Sequence, residues 1–125
     1  MPSEEAMKAA MQAYIDRYNA EDAEGLIDLY ADDAVVEDPV GGATYEGKEA
    51  IAEFYRYAIQ TGAKLKLQAP IRASHGNAAA MAFTVELTHE GQPMQIHVID
   101  VMTFNAAGKF SSMRAYWGKT DMKVR

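Results

Sequence analysis

The hydrophobic period of the chain switches once, near Ala63, from helical to alternating, and no other feature restricts the fold as much. Before the switch, Met7, Ala10, Met11, Tyr14, Ile15 and Tyr18 recur at the spacing of one helical face. Ser3 is placed as the N-cap, and Glu4 and Glu5 suit the positive end of the helix dipole. Asp22 can cap a second, shorter helix through Leu26, Ile27, Leu29 and Tyr30, weakened locally by Gly25, which adds freedom to the unfolded chain. A third helix is predicted over residues 48–60, with Ile51, Phe54, Tyr55, Ala58 and Ile59 on one side and Gly62 as its stop. Between the second and third helices, residues 34–39 form a short strand that must end near Pro39, since proline has no amide hydrogen to give a ladder; residues 40–44 follow as a loop.

After the switch, alternation predicts strands over residues 63–73, 78–89, 94–104 and 109–117, separated by turn-rich segments such as Ser74-His75-Gly76-Asn77 and Glu90-Gly91-Gln92-Pro93. Helices followed by a run of antiparallel strands is the pattern of an α+β domain in which helices cover one face of a sheet. A length of 125 residues predicts one domain, large enough to build its core without a staple. The absence of cysteine removes disulfides and thiol chemistry from consideration.

Charge narrows the partners. Lys+Arg 12 against Asp+Glu 18 gives a net charge of -6, which disfavours nucleic acid and anionic membranes. The N-terminal residues lack the pattern of a secretory leader, and no stretch approaches the ~20 apolar residues of a membrane span, so a cytoplasmic protein is expected.

Three residues break the patterning. Met94, Ile96, Val98, Met102 and Phe104 share one strand face, and Asp100 falls in their midst. A carboxylate in such surroundings loses its hydration, so it finds a partner or raises its pKa and stays protonated as a hydrogen-bond donor. A structural pairing with a buried arginine or with backbone amides would meet the same requirement. Ile99 and Val101 are apolar as well, the pattern of a strand buried on both sides. Tyr14 places a phenol on an apolar helix face, where packing plus one hydrogen bond is the ordinary role, and Tyr30 and Tyr55 lie on other inward faces, so three phenols can meet. Asp38 closes a strand beside Pro39, Gly41 and Gly42, where a turn-forming Asp-Pro is the commoner role and a carboxylate projecting into a cleft the alternative.

Other chemistries find less support. His75, His89 and His97 lack metal-ligand spacing and carboxylate companions, so no metal is expected. Gly41-Gly42 lacks the spacing of a phosphate cradle, and no serine sits in a nucleophile elbow. The eight methionines suit a core or an adaptable apolar pocket.

Residues 30–39 (Tyr-Ala-Asp-Asp-Ala-Val-Val-Glu-Asp-Pro), Ala52-Glu53-Phe54-Tyr55-Arg56, Val98-Ile99-Asp100-Val101-Met102 and Ala115-Tyr116-Trp117, in this order and with Tyr14 on the first helix, together resemble the Δ5-3-ketosteroid isomerases of the NTF2-like, SnoaL-like superfamily. The resemblance covers nearly the whole chain. It implies three helices packed on a curved, mostly antiparallel sheet that forms a cone-like apolar pocket, in a homodimer, with a small steroid as substrate and no cofactor. It assigns Asp38 as general base, Tyr14 and a protonated Asp100 as donors to the substrate oxyanion, and Tyr30 and Tyr55 as the phenols behind Tyr14. Trp117 would sit beside Asp38, while Met81, Phe83, Val85, Val98 and Met113 would line the pocket or pack around it. The loop from Val40 to Tyr45 departs from the proline-containing form of some relatives, which bears on the mobility of Asp38 and the pocket mouth. Competing expectations are another enzyme on the same fold, of polyketide cyclase or hydratase type, and a non-catalytic carrier of apolar ligands.

Overall fold

The computed structural model describes all 125 residues, Met1–Arg125. Three helices, α1 (Glu4–Asn19), α2 (Ala23–Ile27) and α3 (Lys48–Gln60), pack on a seven-stranded sheet. Its strands are β1 (Tyr30–Glu37), β2 (Thr44–Glu46), β3 (Lys64–Leu67), β4 (Ala78–His89), β5 (Gln92–Phe104), β6 (Phe110–Tyr116) and β7 (Met122–Val124). They are ordered β2-β1-β6-β5-β4-β3, with β7 extending the β6 side of β5. Every pairing is antiparallel except β1 with β6. No helix is long and apolar enough to cross a membrane.

The helix signals in the sequence act as expected. Ser3 Oγ accepts from Ala6 N at 3.0 Å, and Asp22 Oδ1 accepts from Gly25 N at 3.0 Å. Gly25 is required there, because a Cβ on it would lie 2.1 Å from the capping carboxylate. Gly62 follows the Thr61 C-cap with φ +84 and gives its N–H to the Ile59 carbonyl, so the residue that ends α3 must reach the left-handed region. Met7, Met11, Tyr14, Ile15 and Tyr18 of α1 and Ile51, Ala52, Tyr55 and Ile59 of α3 are buried in a core cluster of 25 residues. Asn19 fastens the end of α1 to β3, its side chain bonding both Leu65 N and Leu65 O at 2.8 Å.

Several elements differ from the sequence expectation. The second helix stops at Ile27, and Tyr30 instead opens β1, opposite Phe110 in the parallel ladder. The apolar spacing fits either state, and the hydrogen bond from Phe110 N to Leu29 O decides it. The strand expected over residues 63–73 is confined to Lys64–Leu67. Pro70 has no N–H for a ladder, and pairing resumes only as a bridge between Arg72 and Ala80. Part of the expected loop at residues 40–44 is a hairpin, with Thr44 of β2 opposite Glu37 of β1. The strand β5 is buried on one side only: Val98, Asp100, Met102 and Phe104 are covered, whereas Ile99 is 49% exposed on the outer face.

Candidate active site

Register builds the surroundings of Asp100. On β5 its same-face neighbours are Val98 and Met102, and directly across the ladders stand Met81 of β4 and Ala115 of β6. Asp100 is 1% exposed, and neither carboxyl oxygen has a hydrogen-bond partner in the protein. No buried arginine or backbone amide answers it, so the structural-pair alternative falls. Burial pushes its pKa well above the ordinary carboxylate value, and the charge of Asp38 pushes it further the same way. Both effects favour the neutral carboxylic acid, the form of Asp100 that has a proton to donate.

The three phenols meet as expected. Tyr55 Oη lies 3.0 Å from Tyr14 Oη and 2.6 Å from Tyr30 Oη. Burial raises all three pKa values well above the usual phenol value, so each oxygen carries its proton. Proton counting then orients the chain. Tyr30 is fully buried and its hydroxyl has no other partner, so it must donate to Tyr55 or leave a buried O–H unmade. Tyr55 in turn donates to Tyr14, whose own O–H is left to aim outward. The rings hold this arrangement: Tyr30 and Phe110 meet edge to face with centroids 5.1 Å apart, and Tyr14 meets Tyr55 edge to face at 5.8 Å.

Asp38 approaches from the end of β1. Its N–H bonds Ala43 O across the β1–β2 turn at 3.0 Å, and Val40 N bonds Ala115 O of β6 at 2.8 Å, so the segment is tied on both flanks. The parallel pairing of β1 with β6 brings Trp117, just past β6, alongside; its indole N–H donates to Asp38 Oδ1 at 2.9 Å. Burial raises the Asp38 pKa above the carboxylate norm, while the Trp117 hydrogen bond works against that rise by favouring the charged form.

Asp38, Asp100, Tyr14, Tyr55 and Trp117 face one cleft with about 580 Å³ of free space, counting its open mouth, while Tyr30 lies buried behind Tyr55. Tyr14 and Tyr18 of α1 and Phe54, Tyr55 and Ala58 of α3 form one wall. Leu65, Phe83, Val85, Ile96, Val98 and Asp100 belong to the sheet wall, with Asp38 and Trp117 completing the lining. Phe83, Val85 and Val98 thus stand where the sequence puts them. Met81 and Met113 do not line the cleft: they are 2% and 1% exposed core residues, covered because Met81 packs opposite Asp100 and Met113 opposite Met102. Tyr18, Phe54, Ala58, Leu65 and Ile96 were not singled out from the sequence, although Tyr18, Phe54, Ala58 and Ile96 lie on the apolar faces read there. Tyr45 of β2 backs the wall through Phe54, ring centroids 4.6 Å apart. His75, His89 and His97 are exposed and away from the cleft.

The SnoaL-like domain family matches residues 11–113. A Steroid Delta-isomerase of Nocardioides simplex is 40% identical over 119 residues, covering 94% of each chain. Epoxide hydrolase LasB of Streptomyces lasalocidi is 30% identical over 125 residues, which are 97% of this chain and 44% of that longer protein. The fold matches the solved structure of SalBIII, an epoxide hydrolase/cyclase-like enzyme with a role in pyran ring formation in the polyether salinomycin. That match has a TM-score of 0.88 and 27% identity, covering 95% of each chain.

The buried acid predicts a pH-dependent stability. A folded-state pKa raised above the unfolded value means the native state holds an extra proton. This contribution to stability is full below the unfolded carboxylate pKa and is lost progressively as pH rises toward the folded one. Asp100→Asn, which cannot ionise, should remove that loss. Urea midpoints taken at intervals from pH 4 to pH 8 should fall more steeply for the wild type than for the variant, with a limiting difference of about 1.4 kcal/mol per pH unit. Parallel pH profiles would show that Asp100 is charged in the folded protein.

Proposed function

The chain belongs to the SnoaL-like domain family, and from that membership and the two acids of its cleft we propose that it is a steroid Δ-isomerase, moving the double bond of a Δ5-3-ketosteroid to Δ4. The observation that carries the reading is Asp100: a carboxyl with both oxygens buried and unpartnered, on the wall of an apolar cleft that also holds a second, better solvated acid. The 40% identity to the Steroid Delta-isomerase supports the same substrate class.

The chemistry needs a mobile base and a fixed anion stabiliser, and no cofactor. Asp38, ionised, takes the proton from carbon 4. Charge passes to the oxygen on carbon 3, where Tyr14 and Asp100 each donate a hydrogen bond to the dienolate. Asp38 then delivers the proton to carbon 6, so atoms and charge balance within one substrate. Ketosteroid isomerases are the known precedent for a carboxylic acid kept neutral to act as such a donor. Tyr14 is already held by Tyr55, and Asp100 by its strand, so neither donor must reorganise as charge develops, and the apolar walls keep water from competing. An ionised Asp38 raises the Asp100 pKa, so the resting charge of the base helps keep the donor protonated. The chain acts as a single domain, in the cytoplasm, as a homodimer. Ile99 and Tyr116 support the dimer: they are 49% and 44% exposed, directly opposed in register on the outer sheet face, and leave an apolar patch for a second copy, which sedimentation equilibrium reads directly.

A second reading is favoured by LasB and SalBIII: a neutral acid and an ionised base in one cleft also suit the opening of an epoxide. Purified protein offered a Δ5-3-ketosteroid alone should give the conjugated Δ4 product, followed by its ultraviolet absorbance. Absence of that product, with turnover of an epoxide, would transfer the assignment to the second reading. A pocket that only carries ligands would turn over neither.

Within the isomerase reading, Asp38→Asn should lower kcat by on the order of 10²-fold or more with steroid affinity largely kept. Tyr14→Phe and Asp100→Leu should each cost roughly 10² to 10³ in kcat as lost oxyanion donors. Trp117→Phe removes the hydrogen bond that favours the charged form of Asp38, so the acid limb of the kcat/KM profile should move to higher pH. An acid limb that stays in place would separate Trp117 from the ionisation of the base.

A further inference from the structure

Three phenols line the cleft, those of Tyr14, Tyr18 and Tyr55, and two of them are spent on a hydrogen-bonded chain with the buried Tyr30. Tyr14, Tyr30 and Tyr55 form the hydrogen-bonded chain described above, whereas the Tyr18 hydroxyl has no partner in the protein. The side-chain polar atoms that are both fully covered and unpartnered are the two oxygens of Asp100, so the Tyr18 oxygen is one that reaches free space. The residue as a whole is 6% exposed and lines the cleft. Burial lifts its pKa to about 12, and the charge of Asp38 adds to the rise, which keeps the phenol protonated and places it within the field of the base.

Its position is well defined. Tyr18 lies four residues after Tyr14 on the same face of α1, a displacement of about 6 Å along the helix axis. The next residue, Asn19, is bonded twice to the backbone of Leu65, itself part of the cleft wall, so this end of the helix cannot swing the phenol away. A tyrosine that served only to fill the wall could be a phenylalanine, and a donor facing an otherwise apolar ligand would lose its hydration on binding without recompense.

We propose that Tyr18 is a specificity-determining residue that donates a hydrogen bond to a second oxygen of the bound ligand, displaced from the carbonyl oxygen held by Tyr14 and Asp100 by the one-turn spacing of the two tyrosines, on the order of 6 Å. The inference rests on the ketosteroid reading. On such a ligand that distance falls at the junction of the first two rings, so a hydroxyl on the carbon-19 methyl meets the requirement and one on distant carbon 17 does not. A ligand lacking the oxygen leaves the phenol unpaired in the closed cleft, and discrimination follows from that penalty as much as from the bond itself.

Equilibrium binding tests this independently of turnover. Trp117 is the only tryptophan and lines the cleft, so its fluorescence reports occupancy. The probes are three product-type Δ4-3-ketosteroids: one with no further oxygen, one with a hydroxyl on carbon 19 and one with a hydroxyl on carbon 17. The wild type should bind the carbon-19 alcohol in preference to the unsubstituted ketone, and Tyr18→Phe should cut that ratio of affinities about tenfold while the carbon-17 ratio stays put. A carbon-19 ratio that is the same in both proteins overturns the proposal. So does an equal fall in affinity for all three ligands, which is the mark of a wall residue, and so does an unchanged ratio with a displaced acid limb in kcat/KM, which would mean that the phenol acts on Asp38. Failure of the isomerase reading would look different: the steroids would bind, and Tyr18→Phe would still alter the ratio, with no Δ5 substrate converted by the wild type.

Discussion

A carboxyl group sealed among Met81, Val98, Met102 and Ala115 with nothing to bond to is the constraint around which the molecule is arranged. Each unpaired buried polar group costs on the order of 1–3 kcal/mol, and an ionised one far more, so the native state meets the cost by keeping the proton on. A cluster of 25 buried residues offsets it. What the chain gains is a carboxyl that no internal group engages, at the wall of a cleft whose low dielectric would strengthen any hydrogen bond it made to a ligand. An arginine beside Asp100 would have been the stabilising choice and would have removed the donor.

The remaining geometry follows from getting a second acid near the first without merging their environments. Asp38 is carried on β1, which reaches the site because β1 runs parallel to β6 and two strands away from β5 in the sheet. That pairing also sets Trp117 against the Asp38 carboxyl, so one of its oxygens is held by a donor while the residue lines the cleft. The helices contribute Tyr55 and Tyr14 along the opposite wall, and the order from the buried Tyr30 of β1 through Tyr55 to Tyr14 leaves one free O–H outward. Three elements distant in sequence thus share a single proton count, and removing any phenol from the chain changes what the next one can donate.

How much of this the sequence discloses depends on whether the signal is local. Asp100 and Tyr14 were legible because a polar group interrupting a strict period is visible without a partner, and the caps at Ser3 and Asp22 because capping is a matter of three residues. Asp38 as a base was visible only as one reading of an Asp-Pro turn, and the resemblance to a family is what favoured it. Tyr30 misled, since residues 26, 27 and 30 fit a helix until Phe110, eighty residues on, claims the backbone for a parallel ladder. The short strands β2 and β7 carry too few residues to show a period and exist only because longer strands offer them an edge. Met81 and Met113 show the limit of a carry-over by position: both are apolar and inward, and depth within the core, which no alternation pattern encodes, keeps them off the cleft wall.

The likeness to LasB and SalBIII sharpens what decides the reaction on this scaffold. Opening an epoxide and shifting a double bond both begin with an acid that supplies a hydrogen bond to oxygen and a base that removes a proton, so two carboxyls of opposite protonation are common ground. The tasks diverge in what else the cleft must hold. Hydrolysis needs a water fixed within reach of the base, and cyclisation needs a hydroxyl of the same ligand folded onto the epoxide, each requiring polar contacts to orient the attacking oxygen. Isomerisation asks only that one base oxygen reach two carbons on the same edge of a flat ligand. Of 13 lining residues, 11 are apolar or aromatic, and the two acids complete the set, one of them with an oxygen already engaged by Trp117. Such a wall orients a rigid ring system by shape, which suits proton transfer within a single ketone, and its phenols are the groups through which a nucleophilic oxygen would have to be held.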